Sequence, residues 1–140
     1  MFLRFFSNYF ASGLGFQLEY ESTNVAPQMT YEGGRCGGSF TTLNGIITSP
    51  SYPDNYPAYA DCIYTISQPL GSVILLNFLI MDINHHDSNC ETEEQWGMRE
   101  NDYLEIVDGP SEYDGFLLDY LRGNDIPAPI QSSQNNLWMK

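Results

Sequence analysis

Ile63-Tyr64-Thr65-Ile66-Ser67, then Gln68-Pro69-Leu70-Gly71, then Ser72-Val73-Ile74-Leu75-Leu76-Asn77-Phe78, is the stretch that decides the fold. Two runs rich in β-branched, aliphatic and aromatic residues flank a Pro-Gly interruption, the pattern of two short strands joined by a turn. Residues 103–107 (YLEIV) repeat the pattern further along. Turn signals recur at Leu43-Asn44-Gly45, through 49–57, at Asp108-Gly109-Pro110 and through 123–127. No stretch sustains a helical period. The best helix candidate, 90–98, is polar with a single Trp and long enough for a turn or two. Many short strands with no helices between them predict an all-β, antiparallel sandwich or barrel.

Both ends of the chain carry similar text. Met1-Phe2-Leu3-Arg4 and Leu137-Trp138-Met139-Lys140 both run through apolar residues to a basic one. The expectation is a tandem array sampled out of phase, and such arrays are binding scaffolds more often than catalysts. Residues 1–22 form a head with two strand-like pieces, at 2–6 and 16–20. Residues 23–35, polar with a Pro and a Gly pair, read as a linker, and 36–140 form the body. The head alone is at most a marginal hairpin.

Composition narrows the partners. The 140 residues carry a formal charge of −13 with five Lys and Arg in all. Phosphate recognition needs a basic stripe, so nucleic acid and anionic membrane surfaces are poor partners. No apolar run approaches the roughly 18 residues of a membrane span, so direct membrane insertion is not expected. Between Asp87 and Asp119 the acids have only Arg99 among them. Such a run is a solvated face, or a surface for cations: calcium, or basic groups on a protein ligand. No N-glycosylation sequon and no convincing secretion signal is present.

Cys36 and Cys62 enclose 25 residues, with Cys36 at the start of the body. They are either a bridge, contributing on the order of 3–4 kcal/mol, or two buried thiols. Cys90 is left over as an unpaired thiol. His85-His86 beside Asp87 and Cys90 has a zinc-like composition, but adjacent histidines on a strand point to opposite faces and no second ligand pair is evident. Catalytic constellations are missing: no nucleophile elbow, no HExxH and no phosphate-binding glycine loop. Glu93 and Glu94 form an acidic pair in a loop, and Trp96 and Tyr113 are aromatic anchor candidates on acidic loops.

Cys36-Gly37-Gly38-Ser39-Phe40, followed by Gly45-Ile46-Ile47-Thr48-Ser49-Pro50-Ser51-Tyr52-Pro53-Asp54-Asn55-Tyr56-Pro57, resembles the opening of a CUB domain. Asp61-Cys62-Ile63-Tyr64-Thr65-Ile66, Phe78-Leu79-Ile80-Met81-Asp82-Ile83, Asp102-Tyr103-Leu104-Glu105-Ile106-Val107-Asp108-Gly109 and Gly123-Asn124-Asp125-Ile126-Pro127 continue the resemblance in order across 36–140. The head, with Phe6-Ser7-Asn8 and 13–20, resembles the last two strands of such a domain. The resemblance implies an antiparallel, jelly-roll-like β-sandwich, truncated before its last two strands. The head then closes its own body or that of a neighbour.

The resemblance also implies a non-catalytic, extracellular protein-binding module that meets neighbouring CUB repeats and basic residues of protein ligands. The tandem-CUB endocytic receptors are the nearest setting, and the accessory CUB modules of secreted metalloproteases or complement-type proteases are the alternative. Many CUB domains hold one calcium ion with three side-chain carboxylates. By position these fall on Asn84, on Asp102, and on a residue beyond Lys140 whose counterpart in the head is Asn8. Two amides replace two carboxylates, so calcium should bind weakly if at all, with Asp102 the main contact and Asp82 a substitute that strand alternation opposes. The other reading of Asp102 is a carboxylate capping loop amides. Glu93, Glu94, Trp96 and Asp102 are the ligand-contact candidates. Arg122 stands where the family's fourth Cys is expected, which leaves Cys90 unpartnered and the insertion at 91–101 a mobile loop.

Overall fold

A computed structural model describes residues 2–8, 13–22, 30–34, 36–84, 102–111 and 113–139. Its strands are β1 (Phe2–Phe6), β2 (Gly15–Ser22), β3 (Thr30–Gly34), β4 (Gly38–Phe40), β5 (Asn44–Pro50), β6 (Asp61–Ser67), β7 (Ile74–Asp82), β8 (Tyr103–Asp108), β9 (Phe116–Leu121), β10 (Ile130–Gln131) and β11 (Asn136–Met139). No helix occurs among the described residues. The strands form two sheets, as the sequence pattern leads one to expect. One runs β1-β6-β11-β8-β9, with β4 also on β6 and β1 also on β8; the other runs β10-β7-β2-β5-β3. All pairings are antiparallel except β3 on β5 and β4 on β6.

Strand alternation builds the core. In β6, Cys62, Tyr64 and Ile66 turn inward while Asp61, Ile63 and Ser67 face out. In β2, Phe16, Leu18 and Tyr20 turn inward. A period of two on a half-buried strand gives this division. In β7 the inward set changes parity: Ile74, Leu76 and Phe78 are buried, then Met81 and Ile83. The register against β2 slips there, with Leu18 opposite Phe78 but Gln17 opposite Ile80, and Leu79 is the extra, exposed residue. A one-residue bulge re-aims everything after it.

Aromatic rings tie the layers together. Phe5 meets Tyr56 edge-on at 4.5 Å and Phe16 at 5.5 Å, and Phe16 meets Tyr64 at 6.0 Å. Phe40 bridges Tyr64 and Tyr20. Edge-to-face pairs of this kind add about 0.5–1.5 kcal/mol each beyond their burial. Cys36 and Cys62 form a disulfide that fastens the start of the body to β6. Gly15 has a φ of 83°, and a side chain there would collide with Ser49 and crowd Tyr56. Only glycine meets both demands cheaply.

The head has a definite place. β1 pairs with β6 and β8, and β2 pairs with β7 and β5. Each sheet therefore takes one head strand between two body strands. In this chain the head strands occupy these two lanes in cis. Thr30–Gly34, inside the stretch read as a linker, is instead β3, pairing in parallel with β5. Its Gly pair and polar composition hid an edge strand.

Leu18 is fully buried at the centre of the second sheet. Leu18→Ala should lower the unfolding free energy by about 2–5 kcal/mol in urea denaturation. A loss below the range of surface substitutions, about 0.5 kcal/mol, would show that the head does not pack as described.

Candidate functional site

The residues singled out for calcium converge at one end of the sandwich, where β1 leaves its sheet and β8 begins. Asp102 is fully buried there. Its Oδ1 accepts the backbone N–H of Asn8 at 2.6 Å, and its Oδ2 accepts the hydroxyl of Tyr56 at 2.6 Å. The Tyr56 hydroxyl in turn accepts the backbone N–H of Asn84 at 3.0 Å. Four separate segments are thus joined through one carboxylate and one phenol. This is the capping role for Asp102.

Neighbouring bonds complete the end. The Ser7 hydroxyl donates to the Pro57 carbonyl at 2.6 Å and accepts from the Ala60 amide at 2.9 Å. The Tyr56 amide donates to the Gly13 carbonyl, and the Leu14 amide donates to Asp82 Oδ2 at 3.0 Å. Asp82 is therefore engaged with the head rather than with Asp102. Arg4 forms an ion pair with Asp61 across β1 and β6. Beside Asn84, Ile83 and Gly123 exchange two backbone hydrogen bonds at 2.8 and 2.9 Å. This backbone bridge lies next to exposed Arg122, the position where a fourth Cys is expected.

Burial pushes the Asp102 carboxyl above its ordinary value, and the bonds from Tyr56 and Asn8 oppose that shift without cancelling it. Burial, then the bond to Asp102, raises the Tyr56 hydroxyl far above the usual phenol range, so it remains a donor at any physiological pH.

The donor set does not fit the calcium centre that the resemblance implies. Asn84, Asp102 and Asn8 together bring one formal negative charge, and both oxygens of that carboxylate already accept hydrogen bonds. Calcium takes six to eight oxygens, and its affinity follows ligand charge. Among the described residues no three His, Cys, Asp or Glu side chains are grouped to hold a metal ion. Asp102 itself has no exposed surface. Glu93, Glu94, Trp96, the thiol of Cys90 and the histidines at 85 and 86 lie outside the described residues.

Sequence reasoning passed over two features. Tyr56 sits in a Pro-rich loop read only as a turn, yet it is 1% exposed and organises the end of the sandwich. A large aromatic between two prolines was the available signal. Strand β9 was not read as a strand. It leaves Phe116 81% exposed and Leu117 59% exposed, beside Tyr113 at 89%. On the outer face Phe6, Tyr103 and Tyr120 stack in a row, with centroids 5.5 and 4.6 Å apart.

A two-sheet β-sandwich stapled by the Cys36–Cys62 disulfide, with buried Asp102 holding segments together, defines a small all-β module. The CUB domain family model matches residues 36–140, and the chain belongs to that family. It is 40% identical to Tolloid-like protein 2 of Mus musculus over 105 residues, 75% of this chain and 9% of that protein. It is 32% identical to Cubilin of Canis lupus familiaris over 140 residues, 100% of this chain and 3% of that protein. It is 32% identical to Neuropilin-2 of Homo sapiens over 133 residues, 95% of this chain and 13% of that protein. The chain thus spans a small part of each of these relatives. No solved structure matches it.

Because the folded Asp102 titrates above its unfolded value, its proton stabilises the fold below the unfolded value, and that contribution is lost as pH rises through the folded one. Asp102→Asn cannot titrate. The stability of the wild type relative to this variant should therefore fall as pH is raised from below the carboxylate range to neutrality, measured by urea denaturation. A relative stability that climbs with pH would mean that the hydrogen bonds outweigh burial.

Proposed function

We propose that this chain is a non-catalytic, extracellular protein-recognition module, most at home in a multi-CUB endocytic receptor. The CUB match over 36–140 carries the reading. Two further observations support it. The alignment with Cubilin runs through head, connection and body in order, as expected for the end of one repeat followed by the next. The exposed Tyr113, Asp114 and Phe116 offer aromatic rings beside an acid. Large exposed aromatics anchor interfaces, and both ring faces and carboxylates attract Lys and Arg on a ligand.

An accessory module of a secreted metalloprotease is the second reading, favoured by the 40% identity with Tolloid-like protein 2. The full-length transcript separates the two. Further CUB repeats without a metalloprotease domain support the receptor, and an HExxH-bearing domain in the same chain supports the protease.

Recognition in this reading does not depend on calcium, because Tyr113, Asp114 and Phe116 are separate from Asn84, Asp102 and Asn8. Screened by biolayer interferometry against purified secreted proteins, bound partners should keep their affinity when calcium is replaced by chelator. Tyr113→Ala and Phe116→Ala should each weaken binding at least tenfold while leaving the melting temperature unchanged. Partners that bind both variants as well as the wild type, or that dissociate on chelation, would overturn the assignment.

A further inference from the structure

Two segments of this chain share one lane of the first sheet. β1 and β11 both lie between β6 and β8, and they use the same partners in the same register. Phe2 and Trp138 both pair with Thr65 and with Val107, and Leu3 and Met139 both pair with Tyr64. A lane of backbone donors and acceptors can be fully satisfied by one strand at a time. Where β11 advances, the start of β1 must give way.

The rest of the head is exchangeable for a second reason. β1 and β2 belong to different sheets, and every ladder they form is with the body. The two head strands have no ladder with each other that would hold them as a unit of their own. The same ladders, the Arg4–Asp61 pair and the burial of Phe5, Phe16 and Leu18 would form equally well against the body of another copy. Between Ser22 and Thr30 the chain can reach about 24 Å fully extended. Crossing β5 from β2 to β3 needs about 10 Å. The connection has slack, so closure in cis does not exclude closure in trans.

We infer that the head is a donor arm, and that a second copy of this chain is its alternative acceptor. The arm inserts β1 between β6 and β8, and β2 between β7 and β5, of the second copy. Cis and trans forms make the same arm contacts, so the balance is set by concentration. Cis closure corresponds to an effective concentration of about millimolar for a short flexible connection. Below that level, the swapped share rises in proportion to protein concentration. The inference does not rest on the proposed function.

Glu19 and Asn77 face each other across β2 and β7, with Asn77 Nδ2 donating to Glu19 Oε1 at 3.4 Å. One full-length chain would carry Glu19→Cys, and a second, with a longer tag, Asn77→Cys. Both would also carry Cys90→Ser. The two are co-refolded from denaturant and oxidised. A disulfide-linked mixed dimer is expected on non-reducing gels, its share growing with protein concentration. It should exceed the yield from two samples folded apart and then combined. Arg4→Cys with Glu105→Cys, partners across β1 and β8, repeats the test at the other arm strand. Failure of both pairs to give mixed dimer above that control would overturn the donor arm.

Discussion

A β-sheet cannot keep an empty lane between two of its strands, and this fold has two such lanes to fill. β6 and β8 stand one strand apart, as do β7 and β5; the head supplies β2 to the second lane and β1 to the first, where β11 also pairs. Backbone groups left unpaired in a buried lane would each cost about 1–3 kcal/mol, so filling both lanes is a condition of folding. The side chains follow from this. Phe5 enters the core with β1, and Phe16, Leu18 and Tyr20 enter with β2. The ring contacts joining the two layers include those of Phe5 and Phe16 and that of Tyr20 with Phe40.

The end of the sandwich shows how that insertion is secured. Asp102 at the start of β8 takes a hydrogen bond from the head and another from the loop that carries Tyr56. A buried carboxylate is expensive unless donors meet it, and here a backbone N–H and a phenol do so. What the family resemblance offers as a metal position is used in this chain to clamp backbone segments. The replacement of carboxylates by Asn8 and Asn84 is consistent with that use, since fewer like charges surround the one acid that remains.

The two-sheet architecture was legible because β6, the first half of β7 and β8 alternate cleanly, and Pro and Gly mark the turns. The disulfide was one of two readings of Cys36 and Cys62, and the structure shows it. Three parts were not legible. The bulge at Leu79 is invisible to a strict period of two, yet it reverses which face Met81 and Asp82 occupy. β3 has no apolar alternation in its sequence, so no period of two announced a strand. β9 carries Phe116 and Leu117 on the surface, against the rule that apolar runs are buried. At the site, Asn84, Asp102 and Asn8 lie at one end of the sandwich. The burial of Asp102 was not foreseen, because its partner Tyr56 lies 46 positions away in sequence.

Amide hydrogen exchange resolved by residue tests most directly whether the head is integral to the fold. If β1 and β2 fill the central lanes, the amides of Phe5, Leu18 and Tyr20 should exchange only through global unfolding, with the same free energy as those of Tyr64 and Leu76 in the flanking strands. Head amides that exchange through local opening, several kcal/mol easier than the body's, would contradict the central claim.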